Sequence, residues 1–249
     1  VEMVPVSAHT REGIDDLLEM VLLQADVLEL KANPKRYAMG TVIESKLDKN
    51  VGSVVTLLVQ NGTLRLGDPV VIGEYFGKVR TLKNDLGEEV VEALPSSPVS
   101  VTGISGVPTA GDKFMAFESE KQAHSVAEQR SEVAKLKSNT LASAISLDDL
   151  FGKISEGLKE INIVLKADVK GSEEAVKNSL LKLDIEGMKI NVIRSGIGAI
   201  SESDVVLAEA SNAIIIGFQV RPSVAARRLA EKEGVDIRLY SIIYDAIND

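Results

Sequence analysis

Ile14, Leu17, Leu18, Val21 and Leu22 recur at i, i+3, i+4, i+7 and i+8, the spacing that lays one apolar stripe along a helix. Thr10 is its expected N-cap. Ahead of it, Met3-Val4-Pro5-Val6 reads as the end of a short buried strand, so the chain opens as half of a βα unit. After Asn33-Pro34 the pattern shortens into β-rich runs: 38–47, 53–60, 63–72, 75–82, 99–104 and 113–117. Asn61-Gly62 is the strongest hairpin signal among them, because both residues tolerate the positive φ of a type I′ turn. Gly67-Asp68-Pro69 and Asp85-Leu86-Gly87 mark further turns. Six short strands predict a small closed barrel.

From Glu118 to Leu136 the apolar positions predict a weaker amphipathic helix, followed by a Ser-, Ala- and Thr-rich linker from Ser138 to Ser146. A second start follows. Ser146 with Asp149 resembles a capping box, and Leu147, Leu150, Phe151, Ile154 and Leu158 keep helical spacing. Strand and helix then alternate: 161–167 with 172–183, 189–194 with 201–210, 213–218 with 223–233, and 235–240 with a helix from 242. Strands that are almost continuously apolar between crossover helices predict a parallel sheet covered on both faces. The fold class expected is therefore β plus α/β: a small barrel, then a four-stranded parallel αβα sandwich.

A length of 249 residues suits two such domains. No stretch approaches the ~18 apolar residues of a membrane span, so no membrane role is expected. The absence of cysteine excludes disulfides and thiolate metal sites and fits the cytoplasm. A net charge of −9 argues against wholesale binding of nucleic acid. The distribution qualifies this. Residues 1–33 hold two basic and seven acidic groups, whereas residues 34–119 hold nine and ten, leaving local RNA contact open there. Val1 is no initiator methionine and Asp249 falls in a stretch that still reads as helix, so both ends are expected to be cut from a longer chain.

Glycine-rich segments invite a nucleotide reading and fail it. Gly106 to Gly111 imitates phosphate-loop spacing, but Asp112 stands where a lysine should, and a strand follows in place of a helix. Gly196-Ile-Gly198 lacks the third glycine of a dinucleotide fingerprint, with Ser201 in its place as an expected N-cap. Asp168 to Ser172 is a similar loop at a strand's carboxyl end, with Ser172 the expected cap and no partner histidine or second carboxylate within the loop itself. His9 and His124 have no second imidazole at metal-ligand spacing, and no metal is expected. Arg221, Arg227, Arg228 and Arg238 form the most basic local set, best read as a solvated helix face.

Longer strings carry more. Val4-Pro5-Val6-Ser7-Ala8, Gly40-Thr41-Val42-Ile43-Glu44 and Leu58 to Leu64 resemble the bacterial translation initiation factor 2 family, the initiator-tRNA-delivering GTPases. So do Leu165 to Val169, Ser211 to Phe218 and Arg227 to Arg238, which are similar to its third domain. The resemblance covers essentially the whole chain. It implies a remnant of the G domain and connector at 1–33, a barrel at 34–118, helix and linker at 119–146, an αβα domain at 147–243 and the start of a truncated helix at 244–249. It also implies that Ser7 and Ala8 belong to the last guanine-contacting loop. His9 departs from the leucine or lysine expected there. The phosphate loop, Asp-x2-Gly switch and Asn-Lys-x-Asp guanine reader are absent from the sequence, so GTP and Mg²⁺ belong to the intact factor and no catalysis is expected here. The expected role is a non-catalytic ribosome-binding and spacer module of a factor that places initiator tRNA and promotes subunit joining. Initiator tRNA itself would be held by a domain beyond Asp249. Candidate contacts to small-subunit RNA are Lys46, Lys49, Arg65, Lys78, Arg80 and Lys83. The alternatives are a Rossmann-like cofactor enzyme or a protein-binding adaptor.

Overall fold

The computed structural model describes residues 3–142, 159–183 and 188–249, divided into two compact units, 1–33 and 34–249. The expected capping box at Ser146 and the helical spacing of Leu147 to Leu158 lie outside the described residues.

In the first unit helix α1 spans Ile14–Leu28, but it starts from Gly13 and not from Thr10. Gly13 takes φ 72°, and a Cβ there would stand 2.2 Å from the Pro5 carbonyl oxygen, so only glycine lets the chain fold back this tightly. The Thr10 N–H is used differently, donating to Ser7 Oγ at 3.2 Å. Met3 to Val6 forms no strand, because no strand pairs with it among the described residues.

The barrel is built from β1 (Met39–Asp48), β2 (Gly52–Asn61), β4 (Pro69–Ile72), β5 (Tyr75–Lys83), β7 (Pro98–Ile104) and β8 (Lys113–Ala116). They close in the order β1-β2-β7-β5-β4-β8, all antiparallel. Alternate positions of β2, Val55, Leu57 and Val59, are fully buried and meet Val70, Leu82, Val101 and Phe114 inside. Each such side chain contributes about 2 kcal/mol of burial. Two short strands, β3 (Leu64–Arg65) and β6 (Glu92–Ala93), pair outside the barrel.

This last pairing corrects the expected hairpin at Asn61-Gly62. The tight β1–β2 turn lies instead at 48–52, where Asp48 Oδ1 accepts the N–H groups of Asn50 at 2.8 Å and Val51 at 3.2 Å. Gly62 does take φ 75°, yet Asn61 does not share it, and β3 leaves for β6. What demands glycine at 62 is the Tyr37 carbonyl oxygen, 2.3 Å from any added Cβ.

Helix α2 (Glu120–Ala142) runs past the Leu136 expected from its periodicity. Its buried Ala123 and Ala127 pack with Val71 of the barrel. Arg130 Nη1 donates to the Gly73 carbonyl at 3.0 Å, and the His124 ring meets Phe76 edge-on with centroids 4.6 Å apart. The helix is thus fastened to the barrel and is not a free connector.

The second module is a parallel sheet of β9 (Lys159–Ala167), β10 (Met188–Ile197), β11 (Ala213–Phe218) and β12 (Ile237–Tyr240), ordered β10-β9-β11-β12. Helices α3 (Lys170–Leu181) and α6 (Ile243–Asn248) cover one face, where Val176 and Leu180 of α3 pack on Leu165 of β9. Helices α4 (Glu202–Ala210) and α5 (Val224–Glu233) cover the other, over Val164, Ile215 and Ala226. Caps follow the sequence in part. Ser223 Oγ accepts from the Ala226 N–H at 3.0 Å, and Gly234 ends α5 at φ 70°. Ser172 is no cap, since α3 begins at Lys170 from Val169.

Candidate functional site

The six candidate cations of the barrel do not form one patch. Lys78 and Arg80 project from β5 into a groove of about 380 Å³ lined also by Phe76, Ser53, Ser105 and Glu120. Lys78 Nζ is 2.7 Å from Glu120 Oε1 of α2, so its charge is already matched. The Arg80 stem lies across Gly103, where a Cβ would meet its Cγ at 2.7 Å, and the side chain reaches outward. Lys83 ends the same strand, exposed. Arg65 stands apart on β3, 3.5 Å from Glu92 across the two-stranded ladder. Lys46 and Lys49 sit at the β1–β2 hairpin.

Ser7 and Ala8 occupy a turn of the first unit, with the Ser7 N–H donating to the Glu12 carbonyl at 3.1 Å. The basic residues of this acidic unit are Arg11 and Lys31, the latter 3.3 Å from Glu29. Among the described residues of this unit, no cations or carboxylates are grouped to take the phosphates and Mg²⁺ of a whole nucleotide.

Sequence reasoning missed the polar cluster at the carboxyl end of the parallel sheet. Lys166 of β9 stands in register with Gly196 of β10 and Gly217 of β11, and the absent side chain at Gly196 leaves space for its stem. Its Nζ reaches Asp204 Oδ2 at 3.4 Å. That oxygen also accepts the Ser201 N–H at 2.9 Å and its hydroxyl at 2.7 Å. Among the described residues Asp204 Oδ1 has no hydrogen-bond partner, and Arg194 Nη1 stands 4.0 Å away. Burial pushes the Asp204 carboxyl up, but the Ser201 hydrogen bonds and Lys166 outweigh it and hold it below the ordinary value. Glu173, also buried, is treated alike: burial raises it, while Lys170 and the Ser195 hydroxyl bring it net downward. The visible signals were a lysine inside an apolar strand and an acid three residues after an N-cap.

These groups are spent on one another. A carboxylate already fills the start of α4, where a dinucleotide's phosphates would have to sit; Gly196 and Ile197 end β10, and Gly198 at φ 90° bends the chain away from it. Gly106 to Gly111 is likewise a turn, in which Asp112 Oδ2 accepts the Thr109 N–H at 2.9 Å. Arg238 is clamped by Asp236 at 2.9 Å and Asp249 at 2.5 Å, which separates it from the exposed Arg227 and Arg228 of α5.

A closed antiparallel six-stranded barrel, a helix fastened along it and a four-stranded parallel αβα module define a segment of the translation-factor class. The comparisons specify it. A family described as translation-initiation factor 2 matches residues 136–249, and one described as elongation factor G domain 2 matches residues 37–117. Translation initiation factor IF-2 of Bacillus cytotoxicus is 58% identical over 99% of this chain, and that of Bacillus cereus 57%. The chain spans 36% of the length of these relatives. The crystal structure of GDP-bound aIF5B from Aeropyrum pernix superposes with a TM-score of 0.55 at 26% identity, covering 100% of this chain and 42% of that one. The chain belongs to the translation initiation factor 2 family.

Proposed function

We propose that this chain is the ribosome-binding and spacer part of a GTP-dependent initiation factor that places initiator tRNA and promotes subunit joining in the cytoplasm. The observation that carries this reading is identity of 58% sustained over 99% of the chain, both modules included. The barrel is the docking element, meeting small-subunit RNA through Lys46, Lys49, Arg80 and Lys83, with Lys78 and Arg65 partly neutralised by their partners. Among the described residues the buried carboxylates of the sandwich are paired, Asp204 with Lys166 and Glu173 with Lys170, and the sandwich acts as a spacer. Ser7 and Ala8 contribute to a guanine site only together with chain that this segment lacks. The apolar stripe of α1 fits the same view: Leu18, Val21 and Leu22 are 56%, 57% and 66% exposed, a surface suited to packing on such chain.

Co-sedimentation with purified ribosomal subunits across a salt series tests the proposal. Salt-sensitive pelleting with the small subunit is the expected result. Failure to pellet at low salt would leave a protein-binding adaptor as the better account.

A further inference from the structure

We propose that the tip of the β1–β2 hairpin, Lys46 to Lys49, is a latch that couples the barrel to the sandwich. The Lys46 backbone forms an antiparallel bridge with Val169, just past the carboxyl end of β9. Leu47 faces Gly198, where an added Cβ would lie 3.8 Å from its Cδ2. Around this contact a groove of about 640 Å³ runs between Leu47, Asp48 and Lys49 on one side and Lys166, Gly198, Ser201 and Ser223 on the other.

The socket is braced before the hairpin reaches it. Gly198 N–H donates to the Ala167 carbonyl at 2.8 Å, and Ser223 N–H to the Ile200 carbonyl at 3.0 Å. Asp204 ties Ser201 to Lys166, and Glu173 ties Lys170 to the end of β10 through Ser195. The two buried carboxylates therefore fix the loops that receive Leu47.

The latch itself is slight. The barrel's apolar cluster and the two sandwich clusters share no residue, and Leu47 remains half exposed. Contacts this small between modules permit relative motion by default. Yet the covalent path between them leaves the barrel along α2, which is pinned by Ala123 and Ala127. The hairpin is thus a second, non-covalent tether that closes a ring. With it engaged the modules move as one body, and with it released the sandwich is held only by the chain beyond α2. The inference rests on this geometry and is independent of the ribosomal reading.

Backbone ¹⁵N relaxation on the whole chain tests it, comparing wild type with Leu47→Asp and Gly198→Asn. Leu47 lies outside the barrel core, and asparagine is the residue that, after glycine, bears a left-handed φ such as the 90° at position 198 with least strain, so both variants should keep the dispersed amide spectra of two folded modules. Barrel and sandwich amides should share one rotational correlation time in wild type. In either variant the two values should separate, with the sandwich value falling. Separate values already in wild type, or one shared value in both variants, would overturn the latch.

Discussion

Lys166 Nζ and the Asp204 carboxylate lie 3.4 Å apart at the carboxyl end of the parallel sheet, the carboxylate buried and the lysine largely so. Breaking such a pair from one side costs more than the pair contributes, because a buried charge is left without its counterion. Lys166→Met should therefore destabilise the sandwich by on the order of 3 kcal/mol, and urea unfolding should read it as a lower midpoint. Unchanged stability would mean that Ser201 alone suffices to hold Asp204.

The same carboxylates set an acid dependence. Asp204 and Glu173 both titrate below their ordinary values of 3.8 and 4.5 in the folded chain. In that interval the unfolded chain binds the protons, so stability falls with acidification. Their contribution is complete above about pH 5 and is lost as pH drops below 4.5 and through the lowered folded values. Thermal unfolding of Asp204→Asn should show a lower midpoint at pH 7 and a shallower decline below pH 4.5 than wild type.

Much of the fold was legible because its signals are local. The β-rich runs and the alternating strands and helices of the sandwich fall within a few residues of the observed elements, and Ser201 is the N-cap residue of α4 as its position predicts. The failures are non-local. Asn61-Gly62 signals a hairpin by chemistry, but the partner of β3 is β6, almost thirty residues on, and no local pattern announces that choice. The Lys166–Asp204 pair joins residues that only the crossover brings together. Lys78 read as a free cation because Glu120, its partner, lies 42 positions away.

Glycine at 62 and at 234 serves different needs, and the costs should differ. Gly234→Ala forces alanine into the left-handed region at a helix end with open space around it, a loss of about 1 kcal/mol. Gly62→Ala adds a collision with the Tyr37 carbonyl oxygen at 2.3 Å, which only a backbone shift relieves. Chemical denaturation should show the larger loss at 62, and equal losses would show that the backbone there relaxes freely.

A fluorescent GTP or GDP analogue titrated into the chain should show no saturable binding in the micromolar range. Ser7 Oγ is engaged with the Thr10 N–H, and the cations of this unit are Arg11 and the paired Lys31. Tight binding would relocate the nucleotide site into the residues present.

The RNA reading distinguishes cations that the sequence treats as equal. Each phosphate contact releases condensed counterions, so removing one productive charge flattens the log–log dependence of affinity on salt by roughly one unit. Arg80 and Lys83 point outward from β5, whereas Lys78 is held 2.7 Å from Glu120 and must leave that partner to meet a phosphate. Arg80→Ala and Lys83→Ala should each flatten the slope of small-subunit binding by about one unit, and Lys78→Ala by clearly less. Glu120→Gln should then strengthen binding by freeing Lys78, an effect that Lys78→Ala in the same chain abolishes. If the triple variant of Lys78, Arg80 and Lys83 keeps both affinity and slope, β5 is not the docking strand, and Lys46 and Lys49 of the β1–β2 hairpin, whose turn borders the same groove, become the groups to remove next.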